Sequence, residues 1–433
     1  MLGFSNRIMR AWRRVTLKEY RYLPYVLTLL VISIMVAGAR GNLAVTDPGK
    51  EPGESSGIDQ PALDRLVKEA ERTHTDALVV MKDGKLVGEW YFGKKRGPIE
   101  TMSMTKSVVS MAIGRLLTEH KLKSIDEPVW TFFPEWKQGQ KEKVTIKHLL
   151  NHTSGIKANP NVDFYQTPDF VKLALAAELA NPPGTHFFYN NKAVNILPGI
   201  VEKASGKKID AYLGAAVFAP LGIKRFSWTH DRAGNPHGMA GLQMSARDLA
   251  KLGQLMLDKG CWKGEQIIAA DYVEESVKPA QDFDASSGLL WWIASSYRKH
   301  LIEDSTLTAW KKAGMDDEFL GKLANLKGKA YSSKELETSV QSQAGADAFK
   351  KLVALINSGY PQPRIVTGPC LGFAARGYLG QALIVLTGEH LVVVRQIRKE
   401  SHKSEEDDFP ELDALVHALV KTPEPAVDAS ASH

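Results

Sequence analysis

A serine and a lysine three positions apart carry the most specific chemistry in this sequence. Ser103 and Lys106 stand at the head of a mainly apolar run, residues 108–117. Residues i and i+3 share one face of a helix, so the lysine amine can reach the serine oxygen. A serine hydroxyl is a weak nucleophile unless a base lies beside it, and burial can lower a lysine pKa until the amine serves as that base. The pair therefore predicts nucleophilic catalysis by Ser103.

The same Ser-x-x-Lys spacing recurs in the sequence, and its surroundings decide which copy matters. Three further copies begin at Ser154, Ser205 and Ser296. They lie in a glycine-containing loop, at a helix end with a glycine cap and at the start of a polar segment. Ser103 is the copy that heads a long apolar helix, where the free backbone N–H groups of the first turn can also stabilise an oxyanion.

A second informative element is Tyr189-Asn190-Asn191, the only Tyr-x-Asn in the sequence. It follows a Pro-Pro-Gly turn at 182–184 and precedes a helical pattern over 193–204. A tyrosine hydroxyl can take part in proton transfer, and an amide can orient a neighbouring amine or a substrate. These residue types make the element a candidate partner for the serine and the lysine.

The two elements together resemble the motif set of the serine β-lactamase/penicillin-binding protein superfamily, and most of all its class C and esterase branch. The resemblance rests on Ser103-x-x-Lys106 followed by Tyr189-x-Asn191, and it extends from about residue 78 to residue 419. Four further stretches are similar in sequence to the superfamily: Thr145–Gly155, Pro183–Tyr189, Ala219–Ile223 and Met244–Ala250.

This resemblance implies a fold and a set of roles. We expect an α+β protein of the β-lactamase/transpeptidase-like type, with an antiparallel sheet flanked by helices, a mainly helical second region and the site between them. Strand patterns near both ends of the chain, with helical patterns between, favour the same architecture. Ser103 is then the nucleophile, and Lys106 and Tyr189 share the base and acid roles. Asn191 orients Lys106 or a substrate amide, and the nearby lysine charge is expected to lower the Tyr189 pKa.

The third element of the superfamily, Lys-Thr-Gly or His-Thr-Gly, has an altered counterpart in Ala375-Arg376-Gly377. Ala375 replaces a cationic or imidazole side chain that helps hold a substrate carboxylate, which counts against penicillins and D-Ala-D-Ala peptides. The backbone N–H of Tyr378 can still pair with that of Ser103 as an oxyanion hole. Arg376 is a candidate for binding an anionic substrate, although side-chain alternation along a strand leaves the opposite orientation open.

The stretch Gly377-Tyr378-Leu379-Gly380-Gln381 and the upstream Trp291-Trp292 look more like the esterase and 6-aminohexanoate-dimer hydrolase-like members. Trp291 and Trp292 either wall the acyl pocket or belong to the core. The segment 295–370 is charged, contains helical patterns and is much longer than the corresponding connection in relatives. We expect it to be an insertion in the hydrolase domain, 58–421, and either a lid or partner surface or a surface elaboration.

The N-terminal residues have the composition of a targeting segment. Basic residues between 7 and 21 precede a run without charge from 22 to 39. Segment 1–40 is therefore either a cleaved signal peptide or an uncleaved membrane anchor, and both place the following domain on the periplasmic or extracellular side. Residues 41–57 are interpreted as a linker and residues 422–433 as a disordered tail.

The remaining composition excludes several classes of function. The formal charge is +6 over 433 residues, and the sequence has neither a glycine-rich phosphate loop nor a basic patch interleaved with aromatic residues, so nucleic acid is not an expected partner. No spacing indicates a metal ion, no cofactor is expected, and His152 is interpreted as a loop or core histidine. Cys261 and Cys370 form a disulfide or remain separate thiols, since a count of two does not decide this.

We therefore expect an exported serine hydrolase that acts on a small ester or amide through an acyl-enzyme on Ser103. The first alternative is a D-Ala-D-Ala carboxypeptidase or β-lactamase, disfavoured by Ala375. The second is a non-catalytic binding or scaffold protein on the same fold, since a fold does not determine a function. Contact with a membrane is expected only through the N-terminal segment and only if it is not cleaved.

Overall fold

The computed structural model describes residues 57–158, 165–357 and 360–420, and all that follows concerns these residues. The predicted targeting segment, nearly all of the predicted linker and the predicted tail lie outside the described residues. Within the described ranges, no helix has the length and apolar character needed to cross a membrane.

Six antiparallel strands form the central sheet, in the order β2-β1-β14-β13-β12-β8. The remaining strands form two three-stranded sheets and one two-stranded sheet. The strands are β1 (Ala77–Lys82), β2 (Lys85–Trp90), β3 (Ile99–Glu100), β4 (Phe226–Trp228), β5 (Leu242–Met244), β6 (Cys261–Trp262), β7 (Glu265–Gln266), β8 (Trp292–Ser295), β9 (Arg298–Leu301), β10 (Ala330–Tyr331), β11 (Arg364–Thr367), β12 (Cys370–Gly377), β13 (Gln381–Leu386) and β14 (Leu391–Gln396).

Most helices lie between β2 and β8 in the chain, as the helical patterns predict. They are α1 (Gln60–Arg72), α2 (Thr105–Thr118), α3 (Ile146–Leu150), α4 (Phe170–Ala176), α5 (Asn191–Val194), α6 (Ile196–Ser205), α7 (Ile209–Leu213), α8 (Ala246–Leu257), α9 (Ala270–Ser276), α10 (Asp304–Lys312), α11 (Asp317–Ala324), α12 (Ser333–Ala344), α13 (Ala348–Asn357) and α14 (Leu412–His417).

The hairpin at the start of the sheet shows how local sequence sets the topology. The turn between β1 and β2 is Asp83-Gly84, and both residues have positive φ, 51° and 71°. Two consecutive residues of positive φ make the turn whose twist matches that of a β-hairpin. β1 therefore pairs directly with β2 on one side and with β14 on the other.

The central sheet separates two apolar layers. Along β13, Ala382 and Ile384 pack with α1 and α14 on one face, whereas Leu383 and Val385 join the larger core on the other face. This alternation is the two-residue period of a strand buried on both sides. α8 packs tightly on the second face, where a Cβ at Gly253 would come within 2.7 Å of Leu383. The large core on this face also contains α2, which begins directly after the turn that holds the predicted nucleophile.

The segment 295–370 forms a separate small core on a two-stranded stem. β9 and β11 pair with Leu301 opposite Arg364, and they continue the pairing of β8 with β12. The apolar side chains of its four helices, α10 to α13, pack on one another around Trp310 and Leu323, and this cluster does not merge with the main core. The insertion is thus joined to the sheet at its edge strand, β8, and at the neighbouring β12.

Candidate active site

Ser103 lies in a tight turn at the junction of β3 and α2. Met102 to Met104 form one turn of 3-10 helix immediately before α2, and Met102 has a φ of 49°. A non-glycine residue in the left-handed region is uncommon and must be held by its surroundings. The hydroxyl of Thr105 donates to the Met102 carbonyl over 2.7 Å, and it accepts from the Leu242 N–H over 3.3 Å. This network fixes the turn that presents Ser103.

The end of β12 approaches this turn closely. A Cβ on Gly377 would lie 2.6 Å from the Thr101 carbonyl oxygen and 3.1 Å from the Met102 Cβ. These distances leave no room for a side chain, so the glycine of the third element is required by packing. The structure therefore brings Gly377 beside the nucleophile turn, as the resemblance implied.

Lys106 reaches Ser103 from the first turn of α2. Its Nζ donates to Ser103 Oγ over 2.9 Å and to the Met239 carbonyl over 2.7 Å. The lysine is 3% exposed, and burial lowers its pKa to about 7. A buried amine near its pKa at neutral pH has the protonation properties of a general base.

Tyr189 closes the other side of Ser103. Tyr189 is 37% exposed as a whole, but its hydroxyl is hydrogen-bonded to the Ser103 hydroxyl at the cavity, and burial there raises its pKa to about 12 against the lowering effect of that bond. The Lys106 Nζ lies 4.9 Å from the centre of the Tyr189 ring. The expected lowering of the Tyr189 pKa by the lysine is wrong. Burial lowers the Lys106 pKa, so less positive charge is present beside the phenol, and burial also disfavours the charged phenolate itself. Tyr189 is therefore a protonated donor at neutral pH.

Ser103, Lys106 and Tyr189 share one narrow cavity with both predicted tryptophans. The cavity has room for roughly one water molecule. The wall is made by Ser103, Lys106, Ser107, His152, Tyr189, Ser287, Leu290, Trp291 and Trp292.

Trp291 and Trp292 form the wall opposite α2 in different ways. Trp291 is 1% exposed and packs edge-to-face on Phe373 at 5.3 Å, so it belongs to the core and to the cavity at once. Trp292 stacks on Tyr189 with ring centres 6.2 Å apart. The two alternatives for this pair are therefore combined rather than exclusive.

The other predicted residues do not line this cavity. Asn191 is the first residue of α5 and lies two positions beyond Tyr189. The preceding Asn190 caps that helix, its Oδ1 accepting from the N–H groups of Lys192 and Ala193 over 3.0 and 3.1 Å. Tyr378 is 72% exposed and follows β12 directly.

Of the two orientations left open for Arg376, the structure shows the one that points away from the site. Its Nη2 donates to both carboxylate oxygens of Asp413 in α14, over 2.6 and 2.7 Å. The alternation along β12 sends Ala374 to the layer of α1 and α14 and Ala375 to the layer of α2, and Arg376 follows Ala374. Among the residues that the structure describes, Lys106 is the one cationic side chain on the cavity wall.

Several residues of the site had no assigned role in the sequence interpretation. The Met239 carbonyl binds Lys106 from 133 positions away, and no side-chain pattern reveals a backbone acceptor. Ser107 donates to the Leu290 carbonyl over 2.6 Å and ties the two walls together. His152 is 4% exposed and lines the cavity; its position in the His152-Thr153-Ser154-Gly155 stretch was the available signal.

The described residues contain no group of histidine, cysteine and carboxylate side chains arranged to hold a metal ion. Cys261 and Cys370 are separate thiols in the structure. The titratable and nucleophilic side chains on the cavity wall include Ser103, Lys106, Tyr189 and His152.

Comparisons with known proteins identify the family of the chain. Residues 63–319 match the family model described as Beta-lactamase. Esterase EstB of Burkholderia gladioli is 29% identical over 143 residues, which cover 28% of this chain and 36% of the esterase. The 6-aminohexanoate-dimer hydrolase of Paenarthrobacter ureafaciens is 25% identical over 234 residues, covering 49% of this chain and 59% of the hydrolase. Both matches thus span less than two thirds of the relative's own length.

A solved structure shares the fold over most of the chain. A penicillin binding protein from Bacillus halodurans superposes with a TM-score of 0.52 at 17% identity, covering 81% of this chain and 98% of that chain. Similarity at this level of identity speaks to the fold alone. The predicted α+β, β-lactamase/transpeptidase-like fold is confirmed.

Proposed function

Because the chain belongs to the beta-lactamase family, we propose that it is a serine hydrolase that cleaves an ester or amide bond through an acyl-enzyme on Ser103. One observation carries this proposal. The Lys106 Nζ lies 2.9 Å from Ser103 Oγ and its pKa is lowered to about 7 by burial. A serine beside a largely desolvated amine has the base that nucleophilic attack needs.

Acylation begins with transfer of the Ser103 proton to the neutral Lys106 amine. The lysine N–H that donates to the Met239 carbonyl leaves the nitrogen lone pair free to face the serine hydroxyl. Ser103 Oγ then bonds to the substrate carbonyl carbon, whose oxygen takes up the negative charge. The backbone N–H groups of Ser103 and Tyr378 are the proposed donors to that oxyanion.

Collapse of this intermediate breaks the bond to the leaving group. Tyr189 gives its proton to the departing oxygen or nitrogen, and the Lys106 ammonium restores the proton of the phenol. The pKa of Tyr189, about 12, supports this order, because the phenol holds its proton until a strongly basic leaving group forms. Deacylation reverses these steps with water in place of the leaving group. Water gives a proton to the Tyr189–Lys106 pair and bonds to the acyl carbon. The bond from that carbon to Ser103 Oγ then breaks, and Lys106 returns the proton to Ser103.

The substrate is proposed to be a small ester or amide that lacks an essential carboxylate beside the scissile bond. Ala375 is 2% exposed in the core, and Arg376 is bound to Asp413. Neither side chain is available to hold a substrate carboxylate, which disfavours the carboxypeptidase and β-lactamase alternative. Because Trp291 and Trp292 line a narrow cavity with room for roughly one water molecule, short acyl groups are proposed to react faster than long ones.

A screen of p-nitrophenyl esters from acetyl to decanoyl, with anilides of the same acids and a chromogenic cephalosporin, tests this proposal. We expect the acetyl or propionyl ester to give the largest kcat/KM. Turnover of the cephalosporin above the esters would overturn the substrate class. Absence of turnover in all classes, together with an unreactive Ser103, would favour the non-catalytic alternative.

We further propose that the catalytic domain is exported. The support is the basic stretch before the uncharged residues 22–39, which has the order of charges found in signal peptides and anchors. Fusing residues 1–45 to a reporter that is active only outside the cytoplasm should give signal. N-terminal sequencing of the mature protein then distinguishes cleavage near residue 39 from retention as an anchor, and activity of a cytosol-only reporter would contradict export.

A further inference from the structure

His152 occupies a strained position on the cavity wall. It follows α3 with a φ of 60°, and its side chain is almost completely buried beside Ser103 and Lys106. The ring packs against Tyr189 with centres 4.7 Å apart and against the edge of Phe187 at 6.0 Å. Two aromatic neighbours therefore hold the imidazole in one orientation.

The hydrogen bonding of the ring identifies which nitrogen carries the proton. The Asn190 N–H donates to His152 Nδ1 over 3.3 Å. Only an unprotonated ring nitrogen can accept this bond, which fixes both the direction of the ring and its tautomer. The proton of the neutral imidazole is therefore on Nε2.

The neutral form persists over the whole working range of pH. The pKa of His152 is lowered to about 3 by burial and, secondarily, by the charge of Lys106. Lys106 is the titratable neighbour from α2, and Tyr189 is the one from the segment before α5. His152 is thus a fixed donor and does not compete with Lys106 as a base.

The Nε2–H group has no acceptor within the described part of the chain. Within the described residues, the bond from Asn190 is the one hydrogen bond of the ring. Nε2 is not among the unpartnered polar atoms that are sealed from solvent, so some of its surface is accessible. Because Nδ1 is turned towards Asn190 and the ring lines the cavity, Nε2 is open to the cavity space. A donor in this position is available to a bound molecule.

We infer that His152 is a substrate-binding residue whose Nε2–H donates a hydrogen bond to an acceptor oxygen of the ester or amide held beside Ser103. This inference rests on the proposed function and adds a binding contact to it. An oxygen-bearing substrate satisfies a donor that is otherwise unpaired in a nearly closed site, and loss of such a bond typically costs about tenfold in binding.

Two substitutions separate this role from a packing role. His152→Leu removes the donor, whereas His152→Gln keeps one acceptor for the Asn190 N–H and one N–H for the cavity. We expect KM for the preferred short-chain ester to rise about tenfold in His152→Leu, and to return to within threefold of wild type in His152→Gln. His152→Phe, which keeps the ring volume, is the second donor-free variant and should match His152→Leu.

Labelling with a fluorophosphonate and the thermal midpoint are measured for every variant. We expect Ser103 to be labelled in all of them, because its activation depends on Lys106. Unchanged KM in a labelled, folded donor-free variant would overturn the inference alone, as would a His152→Gln protein impaired as much as the donor-free proteins. An unlabelled Ser103 in the wild type would contradict the proposed function and the inference with it.

Discussion

The Nζ of Lys106 donates over 2.7 Å to the backbone carbonyl of Met239, and this contact sets the orientation of the amine. The loop that carries Met239 is itself held by Asn195, whose Oδ1 accepts from the N–H groups of Gly238 and Met239 over 2.8 and 3.3 Å. With one N–H bonded to the carbonyl, the amine nitrogen is held so that its other positions, including the lone pair of the neutral form, can face Ser103. The geometry of the proposed base thus depends on a loop far away in sequence.

The pH dependence of turnover should report the protonation of this amine. Lys106 acts as a base only when neutral, and its pKa is about 7, so kcat/KM should rise through that pH and reach a plateau above it. The proposed acid, Tyr189, has a pKa of about 12, so no fall is expected below pH 10. A profile measured from pH 5 to 10 checks this, and an acid limb near pH 4 would assign the base to a different group.

Replacing Lys106 by an apolar residue should abolish turnover and increase the stability of the fold. We expect Lys106→Met to lose turnover and to gain about 1–3 kcal/mol in the free energy of unfolding at pH 7, because a buried amine that prefers charge is replaced by an apolar chain. Lys106→Arg should also be inactive, since arginine cannot act as a base. Chemical denaturation and ester hydrolysis measure the two effects.

The sign of the pH dependence makes this prediction sharper. The native pKa of Lys106 is lowered from 10.5 to about 7, so between these values the unfolded chain binds one more proton than the native chain. Stability of the wild type therefore rises with pH over this window relative to Lys106→Met. A stability advantage of the methionine variant that grows from pH 7 to pH 10 would contradict the burial of a neutral amine.

Arg376 should be dispensable for turnover. Its guanidinium binds Asp413 on the opposite side of the sheet from Ser103, and a partly exposed ion pair contributes at most about 1 kcal/mol. We expect Arg376→Gln to keep kcat/KM within twofold for neutral and anionic esters and to lower stability slightly. Asp413→Asn serves as the matched control. A fall in kcat/KM for anionic esters but not for neutral esters would indicate that Arg376 binds the substrate.

These cases show which parts of the site were accessible from the sequence. Ser103, Lys106 and Tyr189 were predicted from two motifs that resemble those of a known superfamily, and the structure brings their side chains together. The orientation of Arg376 could not be decided from the sequence, because a shift of one position along β12 exchanges the two faces of the sheet. The Met239 carbonyl and the orientation of His152 depend on tertiary contacts between distant loops, for which a single sequence has no local pattern.

The fold followed the same division. The strand patterns near both ends of the chain and the helical patterns between them predicted the α+β architecture that the structure shows. The separate hydrophobic core of the insertion could not be predicted, because α10 to α13 pack on one another rather than on the sheet, and the sequence does not show this.

We propose that the insertion acts as a lid. The support is the hydrogen bond of 3.1 Å from Arg298 Nε to the Ser286 hydroxyl, because Ser286 is next to the cavity residue Ser287.

Shortening the insertion tests that role without disturbing its stem. Leu301 and Arg364 face each other across β9 and β11, so a two-residue Asn-Gly turn can replace residues 302–363 and close the hairpin. We expect the shortened protein to fold and Ser103 to stay reactive towards a small phosphonate, while kcat/KM for bulky esters changes more than fivefold relative to acetyl esters. Equal effects on small and bulky esters would make the segment a surface elaboration, and loss of folding would make it part of the domain core.

The central claim is that Ser103 forms the acyl-enzyme, and mass spectrometry of the modified protein tests it most directly. Wild type treated with a fluorophosphonate, or quenched during turnover of a slow ester, should gain the mass of one adduct, and the proteolytic peptide containing residues 103–106 should carry it. Ser103→Ala should gain no adduct and lose turnover, with a thermal midpoint within about 2 °C of wild type, since one hydroxyl contributes little to folding. An adduct on any other residue, or turnover by Ser103→Ala, would contradict the account.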